Sequence, residues 1–490
     1  MIRIKSWFPE KMRYEYLNDM LLKIGVDEKA NKFTDTNEKK KFLKRFSILK
    51  RKYVEKIISQ KEKDEYENTY LILKKEPNYE IMFLGSKPIT LETLLTGTRE
   101  KVIEEVDGIK EYMKLCRFMK NYSSGYSRAK FLKYLHDFYP DKVIYDGIGK
   151  KYQFEQNQDT ITVSELQSNK KSVSDKMNPF YYFFFDIAEI SPSDKTQKYS
   201  YKDFQDVVKK ATNNIFNRTD LIKYDLISDD MRHKLLASLG IKCCPYCNRQ
   251  YITSWEKDKQ GVQSTADLDH FYQKSTYPLF ALSLFNFVPS CQICNSRMKG
   301  SNETETLYPY EEGMDEFRFR CMPKDSGNDN LVDLWLASKT NEPNKLCGLY
   351  KLVLVDESDD HTDNKHIERI NGSREVFCLD EVYQTHVDAA INEMLKIRIY
   401  YSGDYAKYAC KTLEDLGIGK EDEKVVSNDD ENAIDNKDKN RFSESEMRDI
   451  ILGFVYNGQD KMDQPLGKLM SDILEYELSL KKSYNEKETE

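Results

Sequence analysis

No stretch of the 490-residue chain reaches the roughly 18 consecutive apolar residues that a membrane-crossing helix needs. The opening residues, MIRIKSWFPEK, carry no apolar core behind their first charges, which argues against a secretory leader. No GxxxxGK[ST] loop occurs, so the chain brings no nucleotide-binding P-loop of its own. No internal repeat of fixed period is present. Uniform positive charge is also missing. Lys and Arg number 76 against 83 Asp and Glu, a net charge of -7, which excludes a protein coated for nucleic acid over its whole surface.

What is present points to folded domains. With 39% hydrophobic residues, 33 Tyr and 24 Phe, the chain is too apolar and aromatic for wholesale disorder. At about 150 residues per domain, its length suggests about three domains. The charge is unevenly spread. Residues 1–150 hold 32 basic and 23 acidic residues, a net of +9, so the remainder carries -16. A local basic face on an otherwise acidic protein is therefore compatible with the composition.

The region 1–235 reads as mainly helical. Within Lys39–Lys63, Phe42, Phe46, Leu49, Tyr53 and Ile57 recur at helical spacing and predict one amphipathic helix. Its other faces hold 11 basic residues against Glu55 and Glu62, including Lys44, Arg45 and Arg51. Such a face is either a solvated surface or a contact for phosphates. Asn157–Asn178 reads as a polar boundary, Phe180–Ile190 as aromatic core, and Tyr201–Phe216 as helix. Met231–Ile241 reads as a helix ending at Gly240, where glycine suits a left-handed cap. Beyond residue 310, Leu349–Asp356 reads as a strand, Asp380–Ile399 as a helix, Lys420–Asn440 as a polar loop and Pro465–Lys482 as a terminal helix.

The informative window runs from Cys243 to Ser301. Two CxxC pairs, Cys244–Cys247 and Cys291–Cys294, flank 43 intervening residues. In the reducing cytoplasm such pairs read as metal ligands before disulfides. Two CxxC turns complete a tetrahedral four-sulfur site, so the spacing predicts one structural zinc ion closed to catalysis. Cys243 adjoins the first pair and competes as a ligand, but Cys244 keeps the two-residue spacing.

Inside and just after this bracket lie Asp269, His270, Asn286 and Asn295, followed by Arg297 and Lys299. Taken singly, each residue is more often structural. The ordered set, Asp-His, then Asn, then Cys-x-x-Cys-Asn, resembles the HNH endonucleases, the ββα-metal nucleases, over about residues 242–301. With the patterning above, the chain is expected to be a mostly α, α+β protein: a helical region 1–235, a zinc-stapled nuclease core 236–310 that the resemblance implies, and a mixed, mainly helical region 311–490. It implies that Asp269 and the side-chain oxygen of Asn295 hold Mg²⁺ or Mn²⁺, that His270 is the general base, and that Asn286 orients His270 or ties down the loop. Arg297, Lys299 and Lys274, with Arg249 and the basic helix, are the expected phosphate contacts. The last motif position is Asn where the eponymous motif has His, a variant common in the family.

These residue types suit phosphodiester hydrolysis. A histidine with an ordinary pKa near 6.5 can take a proton from water at neutral pH. Oxygen ligands suit a hard divalent ion and leave room for phosphate. The wider phrase DHFYQKSTYPLFALSLFNFVPSCQICNSRMKG is similar to HNH nucleases of bacterial anti-phage systems, including the Septu type. That resemblance implies an ATPase partner; double-stranded DNA is the expected substrate, although the residues themselves do not separate DNA from RNA. QPLGKLMSDIL resembles the C-terminal part of longer proteins of this kind. Two further readings stand beside the nuclease: a non-catalytic zinc module that binds nucleic acid or a partner, and a scaffold that zinc merely stabilises.

Overall fold

The computed structural model describes chiefly residues 1–75, 89–105, 222–324, 350–358, 362–400 and 461–488, with short strands between residues 80 and 200. Helix is the main component and the sheets are small, two-stranded pairs, in keeping with a mostly α, α+β chain. The expectations for Phe180–Ile190 and Lys420–Asn440, and nearly all of those for Asn157–Asn178 and Tyr201–Phe216, lie outside the described residues. Among the described residues no helix is long and apolar enough to cross a membrane. The chain divides into two compact units, each drawn from separated segments.

One unit comprises residues 8–238 and 269–288. It opens with α1 (Glu10–Asn31), α2 (Thr36–Val54) and α3 (Gln60–Lys75). Asp35 caps α2 by accepting from the Asn37 amide, as expected of an N-cap carboxylate. Phe46 and Leu49 of α2 meet Leu22 of α1 and Tyr66 of α3 in a common apolar cluster. The single helix predicted over Lys39–Lys63 is thus a helical hairpin. It breaks after Val54, where Lys56 turns left-handed at φ 58°, and Ile57 lies 64% exposed in the turn instead of extending the apolar face. The apolar spacing carried on through the turn by coincidence, which hid the break. The helix α4 (Asp229–Ser238) follows, and Gly240 takes the left-handed conformation (φ 64°) just beyond it, as predicted.

The other unit comprises residues 1–7, 239–268 and 289–490. The first residues run alongside its core: the Ile2 amide donates to the Pro245 carbonyl and the Ile4 amide to that of Pro309. Strands β1 (Ser254–Lys257) and β2 (Gly261–Ser264) pair antiparallel. Strands β3 (Asp267–His270) and β4 (Phe287–Ser290) pair next. Strands β5 (Phe317–Pro323) and β6 (Tyr350–Asp356) pair antiparallel over seven residues, and β6 matches the predicted strand. Helices α5 (Asn364–Val376), α6 (Leu379–Tyr383) and α7 (Val387–Tyr400) follow. The predicted helix over Asp380–Ile399 is interrupted by a tight turn at Gln384–His386. The terminal helix α8 (Gly467–Glu488) packs beside β5. Its Asp472 is fully buried, accepts from the Phe319 amide at 2.9 Å, and meets Lys468 Nζ at 3.0 Å. A buried pair with additional hydrogen bonds is the arrangement that offsets the desolvation of both charges.

Candidate active site and metal centre

The metal centre lies wholly within the second unit. Cys244, Cys247, Cys291 and Cys294 are buried, and their Sγ atoms all lie within 4.8 Å of one another. Tetrahedral zinc at about 2.3 Å from each sulfur requires sulfurs about 3.8 Å apart, so the donor set fits such an ion. Local backbone shapes each turn. The Asn248 amide donates to the Cys244 carbonyl at 2.8 Å, and the Arg249 amide approaches Cys247 Sγ at 3.4 Å. In the second turn the Cys294 amide donates to Cys291 Sγ at 3.5 Å and the Asn295 amide to the Cys291 carbonyl at 3.0 Å. Burial pushes the Cys244 thiol up, whereas hydrogen bonding from Cys244 and its neighbours pulls Cys291 down. Four thiols held this close cannot all shed protons into a buried site until a cation arrives.

Cys243 is set apart from this cluster. It forms a bridge with Tyr251, is fully buried, and burial pushes its thiol up to about 12. The rivalry between Cys243 and Cys244 resolves in favour of the two-residue spacing.

Asn248, directly after the first CxxC pair, sits at φ 48°, a conformation asparagine tolerates better than most residues. Its side chain clamps the start of α8. Its Nδ2 donates to the Lys461 carbonyl at 2.9 Å, and its Oδ1 accepts from the Lys468 amide at 3.0 Å. The Leu466 amide donates to the Asn248 carbonyl at 2.6 Å. The QPLGK phrase is thus the stretch that meets the first metal turn. Tyr383 also donates its hydroxyl hydrogen to the Cys247 carbonyl at 2.7 Å. Arg249, an expected phosphate contact, instead donates Nε to His386 Nε2 at 3.0 Å.

Asn295 lies on a widened, π-type helical turn, Ile293–Lys299, closed by the Gly300 amide donating to the Asn295 carbonyl. Such wide turns occur often at functional sites. The Asn295 Nδ2 donates to Asp267 Oδ2 at 3.0 Å. A carboxylate accepts only, so this contact fixes the amide and leaves Oδ1 as its acceptor oxygen. Asp267 was not singled out from the sequence. The signal lies in strand periodicity: residues two apart share a face, so Asp267 and the buried Asp269 form a DxD pair on one side of β3.

His270 and Asn286 belong to the first unit. His270 Nε2 lies 3.0 Å from the Ala281 carbonyl. A carbonyl can only accept, so Nε2 bears the hydrogen and the ring's lone pair resides on Nδ1. Phe287 packs edge-on against the same imidazole, with centroids 5.2 Å apart. The loop that supplies the Ala281 carbonyl is held from two sides. Asn286 is fully buried, accepts from the Tyr272 amide at 2.6 Å, and donates to the carbonyls of Tyr272 (2.9 Å) and Phe280 (3.0 Å). From α1, the buried Tyr16 donates its hydroxyl hydrogen to the Leu282 carbonyl at 2.6 Å. Of the two roles expected for Asn286, its hydrogen bonds to Tyr272 and Phe280 fit loop-tying, and the Ala281 carbonyl is a partner of the histidine.

The expected phosphate contacts divide. Arg297, Lys274, Lys44 and Arg51 are exposed. Lys299 is only 6% exposed, with Nζ 6.0 Å from the Tyr246 ring, so it does not present its charge to solvent as expected. Arg45 grips Glu65 of α3 through both Nε (3.0 Å) and a terminal nitrogen (2.6 Å), and Lys52 pairs with Glu62 at 2.6 Å. Part of the basic charge of α2 is therefore answered within the hairpin.

The chain matches no family model, no curated protein and no solved structure.

Proposed function

We propose that this protein is a metal-dependent endonuclease of the HNH type that hydrolyses phosphodiester bonds, with double-stranded DNA as its substrate. The observation that carries the reading is the paired hairpin whose His270 has its tautomer set by the Ala281 carbonyl, joined in sequence to a four-cysteine metal centre. In this reading His270 Nδ1 takes the proton of the attacking water, and the hydrogen bond from Nε2 keeps the imidazole aimed while its charge rises. Asp269 and Asn295 Oδ1 would hold Mg²⁺ or Mn²⁺, and Asp267 buttresses the Asn295 amide. Such an ion supplies Lewis-acid neutralisation of the charge that builds on the leaving oxygen. The four cysteines would hold zinc as a structural ion, because sulfur fills all four positions.

The similarity to anti-phage HNH nucleases extends the proposal to bacterial defence beside an ATPase partner. The test is cleavage of duplex DNA by the zinc-loaded protein in Mg²⁺ or Mn²⁺, alone and with candidate ATPases. Cleavage that His270→Ala abolishes supports the reading. Binding of DNA without cleavage under every metal would favour the non-catalytic zinc module.

A further inference from the structure

Tyr224 lies in a short helical turn, Tyr224–Leu226, just ahead of α4. Its ring meets the His270 imidazole edge-on, with centroids 4.7 Å apart and planes at 72°. The Lys274 ammonium lies 4.2 Å from the centroid of the same ring, and the Arg232 guanidinium carbon 5.7 Å from it. All four residues belong to one unit. Arg232 is ion-paired with Asp229 within α4, so it contributes little net charge. Lys274 is exposed and has the Tyr224 ring as its partner.

An ammonium seated on a ring face is held without spending its N–H donors on an acceptor. It is placed against the ring and still able to donate to an anion. The two ring-centred distances keep the Lys274 ammonium within about 9 Å of the imidazole. That range covers the phosphate under attack and its neighbour on the same strand. The same tyrosine therefore fixes a cation and limits rotation of the proposed base.

We infer that Lys274, held on Tyr224, binds a phosphate of the DNA strand beside His270, and that Tyr224 positions both the ammonium and the imidazole. The inference rests on the nuclease reading above and adds a subsite to it.

The experiment uses the full, zinc-loaded chain. Binding of a labelled DNA duplex is measured in Ca²⁺ over a range of KCl concentrations, and cleavage separately in Mg²⁺. Lys274→Gln is expected to lower the salt slope of binding by about 0.9, the contribution of one duplex phosphate. It should raise KM about tenfold, as loss of a charge-assisted hydrogen bond does, with kcat near wild type. Tyr224→Leu should reproduce that binding loss and also lower kcat by about tenfold through misplacement of His270, while Tyr224→Phe, which keeps the ring, restores both. Because Lys274 is exposed, its variant keeps the test decisive even if Tyr224→Leu fails to fold. A wild-type salt slope in Lys274→Gln overturns the subsite and leaves the nuclease reading standing. A reduced slope in a protein that never cleaves supports the subsite and sinks the nuclease reading. A Lys274-dependent slope seen only with RNA overturns the assignment to DNA.

Discussion

Asn295 Nδ2 donates to Asp267 Oδ2 across 3.0 Å, a bond that joins the turn after the second cysteine pair to the strand carrying Asp269 and His270. Its effect is to pin an amide whose oxygen is the proposed cation ligand. Asp267→Ala should therefore raise the Mg²⁺ concentration needed for half-maximal cleavage by about 10–100-fold, as loss of a ligand's supporting partner does. Asn295→Ala should abolish cleavage. A metal titration of Asp267→Ala that overlays wild type would show that the bond has no bearing on the cation.

His270→Ala should lower kcat by about 10²–10⁴-fold, the usual contribution of a general base. Duplex binding in Ca²⁺ should persist, because the imidazole is not a proposed metal ligand. Cutting at the wild-type rate would dismiss His270 as the base.

Cys244→Ser and Cys291→Ser should each lose the bound metal and unfold the surrounding unit. Structural zinc supplies about 10 kcal/mol or more of folding free energy in small zinc domains. Elemental analysis and chelator-dependent melting check this, with Cys243→Ser as the control that keeps full metal content. A metal-free preparation with an unaltered melting curve would refute the assignment.

Asn286→Ala removes three side-chain hydrogen bonds from a fully buried position. Orphaned backbone groups make this costly, about 2–4 kcal/mol. The variant should melt well below wild type and cut more slowly. A substitution without effect on melting would mean that the loop holding Ala281 is secured by other contacts, such as Tyr16.

His386 is shifted below its ordinary value, first by burial and then by the neighbouring Arg249 guanidinium. The unfolded chain then binds the proton more readily than the folded one. Stability is therefore present above about pH 6.5 and declines as pH falls through the window between 6.5 and the lower folded value. Melting temperature followed from pH 7.5 downward should fall less steeply in His386→Gln. Parallel curves would exclude this histidine as a source of acid sensitivity.

The four metal cysteines and the strand Tyr350–Asp356 were legible because spacing and periodicity are local properties. Gly240 was legible for the same reason. What escaped depended on partners distant in sequence. Ala281 contributes only a carbonyl to His270, and a carbonyl leaves no trace in residue identity. Asp267 looked like one more acidic residue until Asn295 was placed against it. The pairing of the basic face of α2 escaped because Glu62 reads as part of the same helix and Glu65 as lying beyond it, and only the turn at Lys56 folds them back onto Lys52 and Arg45. Lys299 read as a surface cation because burial is not encoded in a single residue type.

The Asn248 clamp sets an order of assembly. Asn248 and the Lys468 amide it receives are 220 residues apart. During synthesis the first cysteine turn would wait roughly 10–45 s for that partner, at about 5–20 residues per second. The segment carrying Asp269, His270 and Asn295 leaves the ribosome in the first part of that interval. Through that interval the first metal turn would rest on its own local hydrogen bonds and on any metal its cysteines hold, and the whole segment between the two cysteine pairs would be made before the clamp closes.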